Sequence, residues 1–333
     1  MFDALDHFGR LASYDQAIAL CDGVVVTFGD AGHILGSAWI LLEVEEDGAR
    51  KRLLFSGDVG NHASPILNRP TPAPVADVVV MESTYGDRLH KPIGPSVEEL
   101  KDAVRDTMER GGNVIIPTFA LERAQEILYY LHELVEAGDL PRRVAVYLDS
   151  PMAISATALF RRHPEALSET LRAEIASGID PLRFAGVHFT RDTADSMAIN
   201  HMRSNAVILA GSGMATGARV LHHLRHNLWR PESSVVLVGY AATGTLARQI
   251  IDGQRNVRIY GEPGRVAAHI YTIGGFSAHA DRDDLVAWVS SAGAPARVFL
   301  VHGEDIPRQA LAAVLKDQGH SVMLPAQGET YPL

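Results

Sequence analysis

The fold is decided by the stretch Leu53-Leu54-Phe55-Ser56-Gly57-Asp58-Val59-Gly60-Asn61. Its apolar start ends in Ser-Gly, and a single aspartate, Asp58, follows directly. In an α/β protein, a buried strand with this ending presents a carboxylate to the crevice beyond the sheet edge, and the glycine lets the backbone turn there. Aspartate is also common in ordinary turns, so Asp58 needs partners before it indicates a site.

The composition is that of a globular protein with room for two cores. The chain has 333 residues, of which 47% are hydrophobic and 21% are charged. The single cysteine, Cys21, excludes a disulfide framework and favours a reducing compartment. The longest apolar runs, such as Val235–Val238, have the length of strands, so we predict no membrane span and no membrane partner. The N-terminus lacks the basic region and apolar core of a signal peptide, and we expect a cytoplasmic protein.

The net charge of −10 argues against a general nucleic-acid coat protein. A local basic groove remains compatible with it, because only the field near the phosphates matters. One locally basic helix is predicted, and its cationic residues are His222, His223, Arg225, His226 and Arg230. A solvated helix face is the simpler interpretation of that helix, and contact with an RNA backbone is the alternative.

Helical and strand patterns alternate strictly after Pro95, which indicates an α/β fold with a mainly parallel sheet. The segment after residue 264 resembles the first segment again, so a middle domain is predicted to be inserted into a flanking one. Apolar spacing predicts a helix over Met1–Leu20. Ser96 is predicted to cap a helix that runs to Arg110, and Asp281 is predicted to cap the helix Arg282–Ser291.

Five polar side chains stand just past predicted strands or in small-residue loops. They are His33, Asp58, Glu82, His279 and His302. A single histidine after a strand is more often a structural or surface residue, but strands of one sheet gather such ends in one crevice. Histidine and aspartate are the ligands of hydrolytic zinc sites, and an aspartate can bridge two metal ions. The five together favour a common metal site.

The same residues lie in motifs that resemble the β-CASP branch of the metallo-β-lactamase superfamily. Its members include RNA-processing nucleases such as the cleavage and polyadenylation endonuclease. The motifs are Gly32-His33-Ile34-Leu35-Gly36-Ser37-Ala38, Ser56-Gly57-Asp58, Glu82-Ser83-Thr84-Tyr85-Gly86-Asp87-Arg88, Phe276-Ser277-Ala278-His279-Ala280-Asp281 and Val301-His302-Gly303-Glu304. The segments Pro117–Glu126 and Ala210–Met214 also resemble parts of a β-CASP domain.

The resemblance implies an α/β architecture in three parts. A partial metallo-β-lactamase αββα fold would comprise residues 1–89 and 265–333, and an α/β β-CASP domain would occupy residues 90–264. The function that goes with this architecture is zinc-dependent hydrolysis of RNA phosphodiester bonds. RNA is then the expected substrate, and a homodimer is kept open as an expectation.

The resemblance also implies a role for each site residue. His33 resembles the histidine ligand of the first zinc, Asp58 the bridging aspartate, and His302 the late histidine that completes the second zinc. Glu82 and His279 resemble the acid dyad, in which the carboxylate orients the imidazole that protonates the leaving oxygen. Together with Asp58, this dyad forms the predicted catalytic set.

Phosphate contacts are predicted from small-residue loops and from one arginine. Backbone N–H groups around Ser277-Ala278 and Ser212-Gly213 could bind phosphate oxygens. Arg123, at a predicted helix start, is the arginine chosen for contact with the RNA backbone. The loop Gly211–Gly217 lacks the Gly-Lys-Ser/Thr ending of a nucleotide-binding loop, so ATP binding is not predicted.

The family's earliest metal motif, His-x-His-x-Asp-His, does not occur upstream of His33. The resemblance implies that this motif would supply four metal ligands. Without it, each of two metal ions would have one ligand of its own and the shared Asp58, whereas a catalytic zinc usually takes three ligands from the protein. We therefore expect fewer than two zinc ions and little nuclease activity in this polypeptide. A truncated or misplaced start is the favoured explanation. The alternatives are a non-catalytic RNA-binding or complex subunit and a hydrolase of small phosphoesters.

Overall fold

A computed structural model describes residues 11–142 and 144–332 of the chain. Contacts between Cα atoms divide the chain into two compact units. Unit 1 comprises Met1–His62, Arg69–Leu89 and His279–Leu333, and unit 2 comprises Ala63–Asn68 and His90–Ala278. Almost all of unit 2 is therefore inserted, in sequence, between two parts of unit 1.

The elements are numbered in chain order. The strands are β1 (Ala17–Cys21), β2 (Val24–Asp30), β3 (Ala38–Glu46), β4 (Ala49–Phe55), β5 (Val78–Met81), β6 (Val114–Pro117), β7 (Ala145–Leu148), β8 (Val187–Phe189), β9 (Ala206–Ala210), β10 (Ser234–Val238), β11 (Asn256–Ile259), β12 (Glu262–Arg265), β13 (His269–Ile273), β14 (Arg297–Leu300) and β15 (Val322–Met323). The α-helices are α1 (Ile93–Glu109), α2 (Arg123–Glu136), α3 (Pro151–Phe160), α4 (Glu169–Ala176), α5 (Thr193–Ile199), α6 (Val220–Asn227), α7 (Leu246–Ile251), α8 (Arg282–Ser291) and α9 (Asp305–Asp317), and a 3₁₀ turn covers Pro164–Ala166.

Unit 1 is built on a seven-stranded mixed sheet with the order β1-β2-β3-β4-β5-β14-β15. Neighbours from β1 to β4 run antiparallel, whereas β4, β5, β14 and β15 run parallel. Because β3 is antiparallel to both of its neighbours, β2 points the same way as β4. The carboxyl ends of β2, β4, β5 and β14 therefore lie at one edge of the sheet, which is where α/β proteins place their ligands.

One face of this sheet is held by an apolar core under α8 and α9. Trp39 and Leu41 alternate along β3 and pack with Leu54, which is the paired residue opposite Leu41. Trp288 of α8 and Leu311 of α9 join the same core. The period of two on the strand and of three to four on the helices is what brings these side chains to one layer. The core fixes the strands whose ends carry the polar residues.

Unit 2 contains a six-stranded parallel sheet with the order β13-β10-β6-β9-β7-β8. Every residue of β9 and β10 is buried. Parallel strands covered on both faces give such unbroken apolar runs. A small antiparallel hairpin, β11–β12, packs Val257 and Ile259 into the core beside α6 and α7.

The α/β fold with an inserted domain is confirmed, and two local predictions are wrong. Part of the helix predicted over Met1–Leu20 lies outside the described residues. Its last residues belong instead to strand β1, because pairing with β2 determines the backbone conformation there. Ser96 is not an N-cap: α1 begins at Ile93, and the Ser96 hydroxyl donates to the Pro92 carbonyl within the helix. Asp281 does cap α8, accepting from the N–H groups of Asp283 and Asp284.

The predicted domain boundary after residue 264 differs from the division by contacts. β13 pairs along its full length with β10 of the second sheet, so residues up to Ala278 pack with unit 2. The sequence offered no signal for this, because an isolated apolar strand does not show which sheet it joins.

An ion pair joins the chain just before it leaves unit 1 to the start of α8. His62 Nδ1 lies 2.6 Å from Asp284 Oδ1. The hydrogen bond to Asp284 raises the pKa of His62, against burial and the charge of Arg69, and Asp281 adds to the rise. Burial raises the pKa of Asp284, but the hydrogen bond from His62, the charge of His62 and backbone hydrogen bonds together outweigh it, and the pKa is lowered.

We expect Asp284→Asn to destabilise the protein more at pH 5.5 than at pH 8.5. A histidine whose pKa is raised by folding stabilises the protein at pH values below its pKa in the unfolded chain, about 6.5. This stabilisation is lost as the pH rises through the pKa in the folded protein. The lowered aspartate pKa contributes above about pH 4 and is lost as the pH falls through the folded value. Both groups are partly exposed, so the difference is about 0.5 kcal/mol, measured by thermal unfolding at the two pH values.

Asp283→Asn is the matched control, because Asp283 lies next to Asp284 in the same helical turn but pairs with an arginine, Arg282, and not with a histidine. Its effect on the unfolding temperature should be the same at both pH values. An equally pH-independent effect of Asp284→Asn would contradict the assignment of the charged pair.

Candidate active site

Four of the five predicted site residues follow strands that end at the same edge of the unit 1 sheet. His33 follows β2, Asp58 follows β4, Glu82 follows β5 and His302 follows β14. The parallel direction of these four strands places their ends side by side. The fold of unit 1 therefore brings these four residues to one edge of its sheet, and their roles stay predictions.

The His33 loop is shaped by glycine and serine. Gly32 has a φ of 63°, and a Cβ there would lie 2.6 Å from the backbone nitrogen of Pro70. The hydroxyl of Ser37 accepts from the backbone N–H of His33 at 3.0 Å and from that of Ile34 at 3.3 Å. The spacing between His33 and Ser37 thus closes a tight loop that holds the imidazole in place.

His279 reaches the same edge from a different part of the chain. Its backbone bridges to Gly60, and the N–H of Ala280 donates to the Val59 carbonyl at 2.8 Å. The capped start of α8 follows two residues later, at Asp281. Residues 59 and 60, directly after Asp58, therefore fix the backbone of His279.

Glu82 is a buried carboxylate that is satisfied by hydrogen bonds and faces His279. Its Oε1 accepts from the N–H of Val59 at 2.7 Å and lies 3.0 Å from His279 Nδ1. Its Oε2 accepts from the N–H of Thr84 at 3.3 Å. These contacts orient the imidazole with Nδ1 toward the carboxylate.

Asp58 lies between imidazoles. Its Oδ2 is 3.7 Å from His33 Nε2, and its Oδ1 is 3.0 Å from His302 Nδ1. The His279 ring is 4.2 Å from the His33 ring and 5.9 Å from the His302 ring, measured between centroids. The hydrogen bond from His302 lowers the pKa of Asp58, and the same bond raises the pKa of His302. The edge is thus an ionised carboxylate ringed by three histidines.

This arrangement fits a metal ion. Ligand atoms of His33, Asp58 and His279 lie within 4.8 Å of one another. Two ligands bound about 2.1 Å from a tetrahedral metal are about 3.4 Å apart, and the two distances at Asp58 bracket that value. Imidazole nitrogen and carboxylate oxygen are also the donors that zinc takes in hydrolytic sites.

Several supporting residues were quoted in the motifs without a role. The Ser56 hydroxyl accepts from the N–H of Glu82 at 3.1 Å, and the Thr84 hydroxyl donates to the His302 carbonyl at 3.1 Å. The N–H of Ser83 donates to the same carbonyl at 3.2 Å. Their signal in the sequence is a small hydroxyl residue within two positions of Asp58 or Glu82, which a search for metal ligands alone does not detect.

The predicted phosphate-binding residues all belong to unit 2. Ser277 is buried and Ala278 half-buried, directly before His279 in sequence. The Ser212 hydroxyl accepts from the N–H of Thr216 at 2.9 Å, and Gly213 packs against the Phe119 ring. Phosphate contact by these loops stays a prediction.

Arg123 does not have the exposure expected of a residue that binds the RNA backbone. It is 4% exposed and forms an ion pair with Glu126, one helical turn along α2. Its position at the start of the helix was predicted, but the buried acid that neutralises it was not. These contacts favour a structural role for Arg123.

Two family models match the chain. The Beta-Casp domain matches residues 124–250, and the Zn-dependent metallo-hydrolase RNA specificity domain matches residues 263–325. A ribonuclease of Thermus thermophilus, TTHA0252, is 41% identical over 331 residues, which are 99% of this chain and 74% of the relative. The chain belongs to the β-CASP family. The resemblance inferred from the motifs is confirmed, and with it a metal-dependent hydrolase of the metallo-β-lactamase fold.

Other β-CASP relatives differ in length and in name. An RNase J-like protein of Methanocaldococcus jannaschii is 32% identical over 334 residues, covering 99% of this chain and 76% of the relative. The transcription termination factor FttA of Pyrococcus horikoshii is 33% identical over 302 residues, covering 87% of this chain and 46% of the relative. The chain thus spans about three quarters of two of these relatives and less than half of FttA.

We expect Gly60→Ala to destabilise the protein by about 1–3 kcal/mol and to weaken metal binding. A Cβ on Gly60 would lie 1.9 Å from the Gly32 carbonyl oxygen and 2.7 Å from the His33 nitrogen, so the His33 loop would have to move. Thermal unfolding and calorimetric titration with zinc measure the two effects.

Gly94→Ala is the control, because a Cβ there meets nothing within 4 Å and lies in the first turn of α1. It should change stability by less than about 0.5 kcal/mol. Zinc binding by Gly60→Ala that equals that of the unmutated protein would contradict the dependence of the His33 loop on Gly60.

Proposed function

We propose that this protein hydrolyses RNA phosphodiester bonds with zinc bound at the sheet edge of unit 1. The observation that carries the proposal is Asp58 held between His33 and His302, beside His279 and the buried Glu82 that pairs with it. The names of the relatives, two of them ribonucleases, support RNA as the substrate. A cytoplasmic location and a homodimer stay predictions.

His33, Asp58 and His302 are the residues that would hold the metal. Bound zinc would neutralise the phosphate and lower the pKa of a water molecule. Asp58 offers one oxygen toward His33 and the other toward His302, which is the arrangement expected of a bridging carboxylate. The hydrogen bond that keeps the pKa of Asp58 low also keeps this ligand ionised at neutral pH.

Glu82 and His279 would together transfer a proton to the leaving oxygen. Glu82 is 1% exposed and bound by two backbone N–H groups, so its carboxylate is fixed before substrate arrives. Its Oε1 lies 3.0 Å from Nδ1 of His279, and Nε2 of the same ring would protonate the leaving oxygen of the cleaved RNA strand. In this scheme Glu82 is a positioning residue and His279 the general acid.

We expect the polypeptide to hold fewer than two tightly bound zinc ions and to cleave RNA weakly. Two metals that share Asp58 would each have one further protein ligand in the proposed set, whereas catalytic zinc usually takes three. Elemental analysis of protein purified without chelators measures the content. Two tightly held zinc ions per chain would contradict this expectation.

We predict that His279→Ala retains the metal content of the unmutated protein and cleaves RNA at least about 100-fold more slowly. The reason is that His279 faces Glu82 and is proposed to move a proton, although its ring nitrogen also lies near His33 and Asp58. Cleavage of end-labelled RNA is measured with protein and zinc in excess over RNA, so that a weak activity is visible.

Asp58→Asn is the matched comparison, and it should lose both metal and cleavage. Loss of zinc in His279→Ala would instead make His279 a ligand. Absence of RNA cleavage by the unmutated protein, with RNA binding retained, would favour a non-catalytic RNA-binding subunit. Cleavage of small phosphoesters but not of RNA would favour the third alternative.

A further inference from the structure

The cationic residues of α6, the helix predicted to be basic, do not all lie on its exposed face. His223 is fully buried, and its Nε2 lies 2.6 Å from Asp149 Oδ2. Arg230, just after the helix, pairs with Glu232. The exposed cationic positions that remain are His222, Arg225 and His226. These three lie on the open side of α6.

A cavity of about 350 Å³ lies between α6 and the β11–β12 hairpin. Its apolar wall includes Leu224 and Leu228, and Trp229 and Arg225 lie on the helix side. Arg265 lines it from the hairpin, and Glu262 is its acidic residue. The cavity belongs entirely to unit 2.

Two aromatic side chains are exposed beside this cavity. Trp229 is 58% exposed and Tyr260 is 49% exposed. The Tyr260 ring lies 5.0 Å from the His222 ring, so the hairpin tip contacts the open side of α6. Exposed aromatic rings that adjoin arginines are typical of surfaces that stack bases.

The arginines of this surface are not neutralised by neighbouring acids. Among the residues that the structure describes, neither Arg225 nor Arg265 lies within ion-pair distance of a carboxylate, whereas Arg248 is paired with Asp252. Burial lowers the pKa of His226, and the nearby cations, including Arg225, lower it further. In a chain with a net charge of −10, this is a locally cationic surface.

Tyr260 is held at the hairpin tip at a conformational cost. Tyr260 and Gly261 form the two-residue turn between β11 and β12, with φ values of 54° and 79°. Such turns favour Asn-Gly, and a bulky aromatic residue at a positive φ is uncommon. The sequence thus keeps an exposed ring where asparagine would make a more stable turn.

We propose that this surface binds a single-stranded segment of RNA, with bases on Trp229 and Tyr260 and phosphates against Arg225 and Arg265. The proposal rests on the proposed function, since it takes RNA as the substrate, and it adds a contact that is independent of the metal ligands. Single-stranded nucleic acid offers a binding partner to both kinds of side chain on this surface: base faces stack on the aromatic rings, and phosphates contact the arginines. A protein partner, in contrast, would place carboxylates and not phosphates against the arginines.

The test is fluorescence anisotropy with a labelled oligouridylate of about 12 nucleotides and full-length protein. Tyr260→Asn should weaken binding about fivefold or more, because one stacking ring is lost while the turn is improved. Arg225→Ala combined with Arg265→Ala should reduce the slope of log affinity against log salt by about 1.4, since two phosphate contacts are lost.

Arg172→Ala is the control for the loss of a surface arginine, since it removes an exposed arginine from α4, which does not line the cavity. It should leave both affinity and salt slope unchanged, and all of these variants should keep the metal content of the unmutated protein. Unchanged RNA binding in Tyr260→Asn and in the double arginine variant would overturn the proposal.

Two further outcomes separate this proposal from the proposed function. If the surface variants bind RNA normally while His279→Ala still loses cleavage, the surface proposal fails and the proposed function stands. If the unmutated protein binds no RNA, both fail. Equal losses for single-stranded and duplex RNA in Tyr260→Asn would also contradict stacking, because paired bases do not offer their faces.

Discussion

The carboxylate of Asp58 is the interaction on which the site depends. It lies 3.7 Å from His33 and 3.0 Å from His302, and both imidazoles come from segments distant in sequence. Only a sheet in which β2, β4 and β14 share one direction can bring these ends together. The hydrogen bond from His302 lowers the pKa of Asp58, and an ionised carboxylate beside imidazole nitrogens is the donor set that zinc takes in hydrolytic sites, which is why the geometry points to metal-dependent chemistry.

A second layer of contacts turns this cluster into a preorganised site. Glu82 orients His279, and the backbone of residues 59 and 60 contacts both, so the proposed metal ligand Asp58 and the proposed proton donor His279 share one support. The close approach of Gly60 to the His33 loop tightens the same support. The proposed metal binding and proton transfer would therefore both depend on a few backbone contacts after β4.

Much of this could be predicted from the sequence, because strand ends and small-residue loops are local patterns. The five site residues and the inserted α/β domain were predicted from such patterns and from the family motifs they form. The pairing of β13 with the second sheet could not be predicted, because strand pairing depends on tertiary contacts. The burial of Arg123 against Glu126 was missed for a similar reason: charge alone does not show which arginines are neutralised.

The most direct test is X-ray diffraction at the zinc absorption edge from crystals equilibrated with zinc. The account predicts an anomalous peak at the sheet edge of unit 1, within about 2.3 Å of ligand atoms from Asp58 and from His33 or His302, with Glu82 hydrogen-bonded to His279 and not to the metal. A zinc ion coordinated by Glu82, or one bound only elsewhere in the chain, such as at His223 and Asp149, would contradict it.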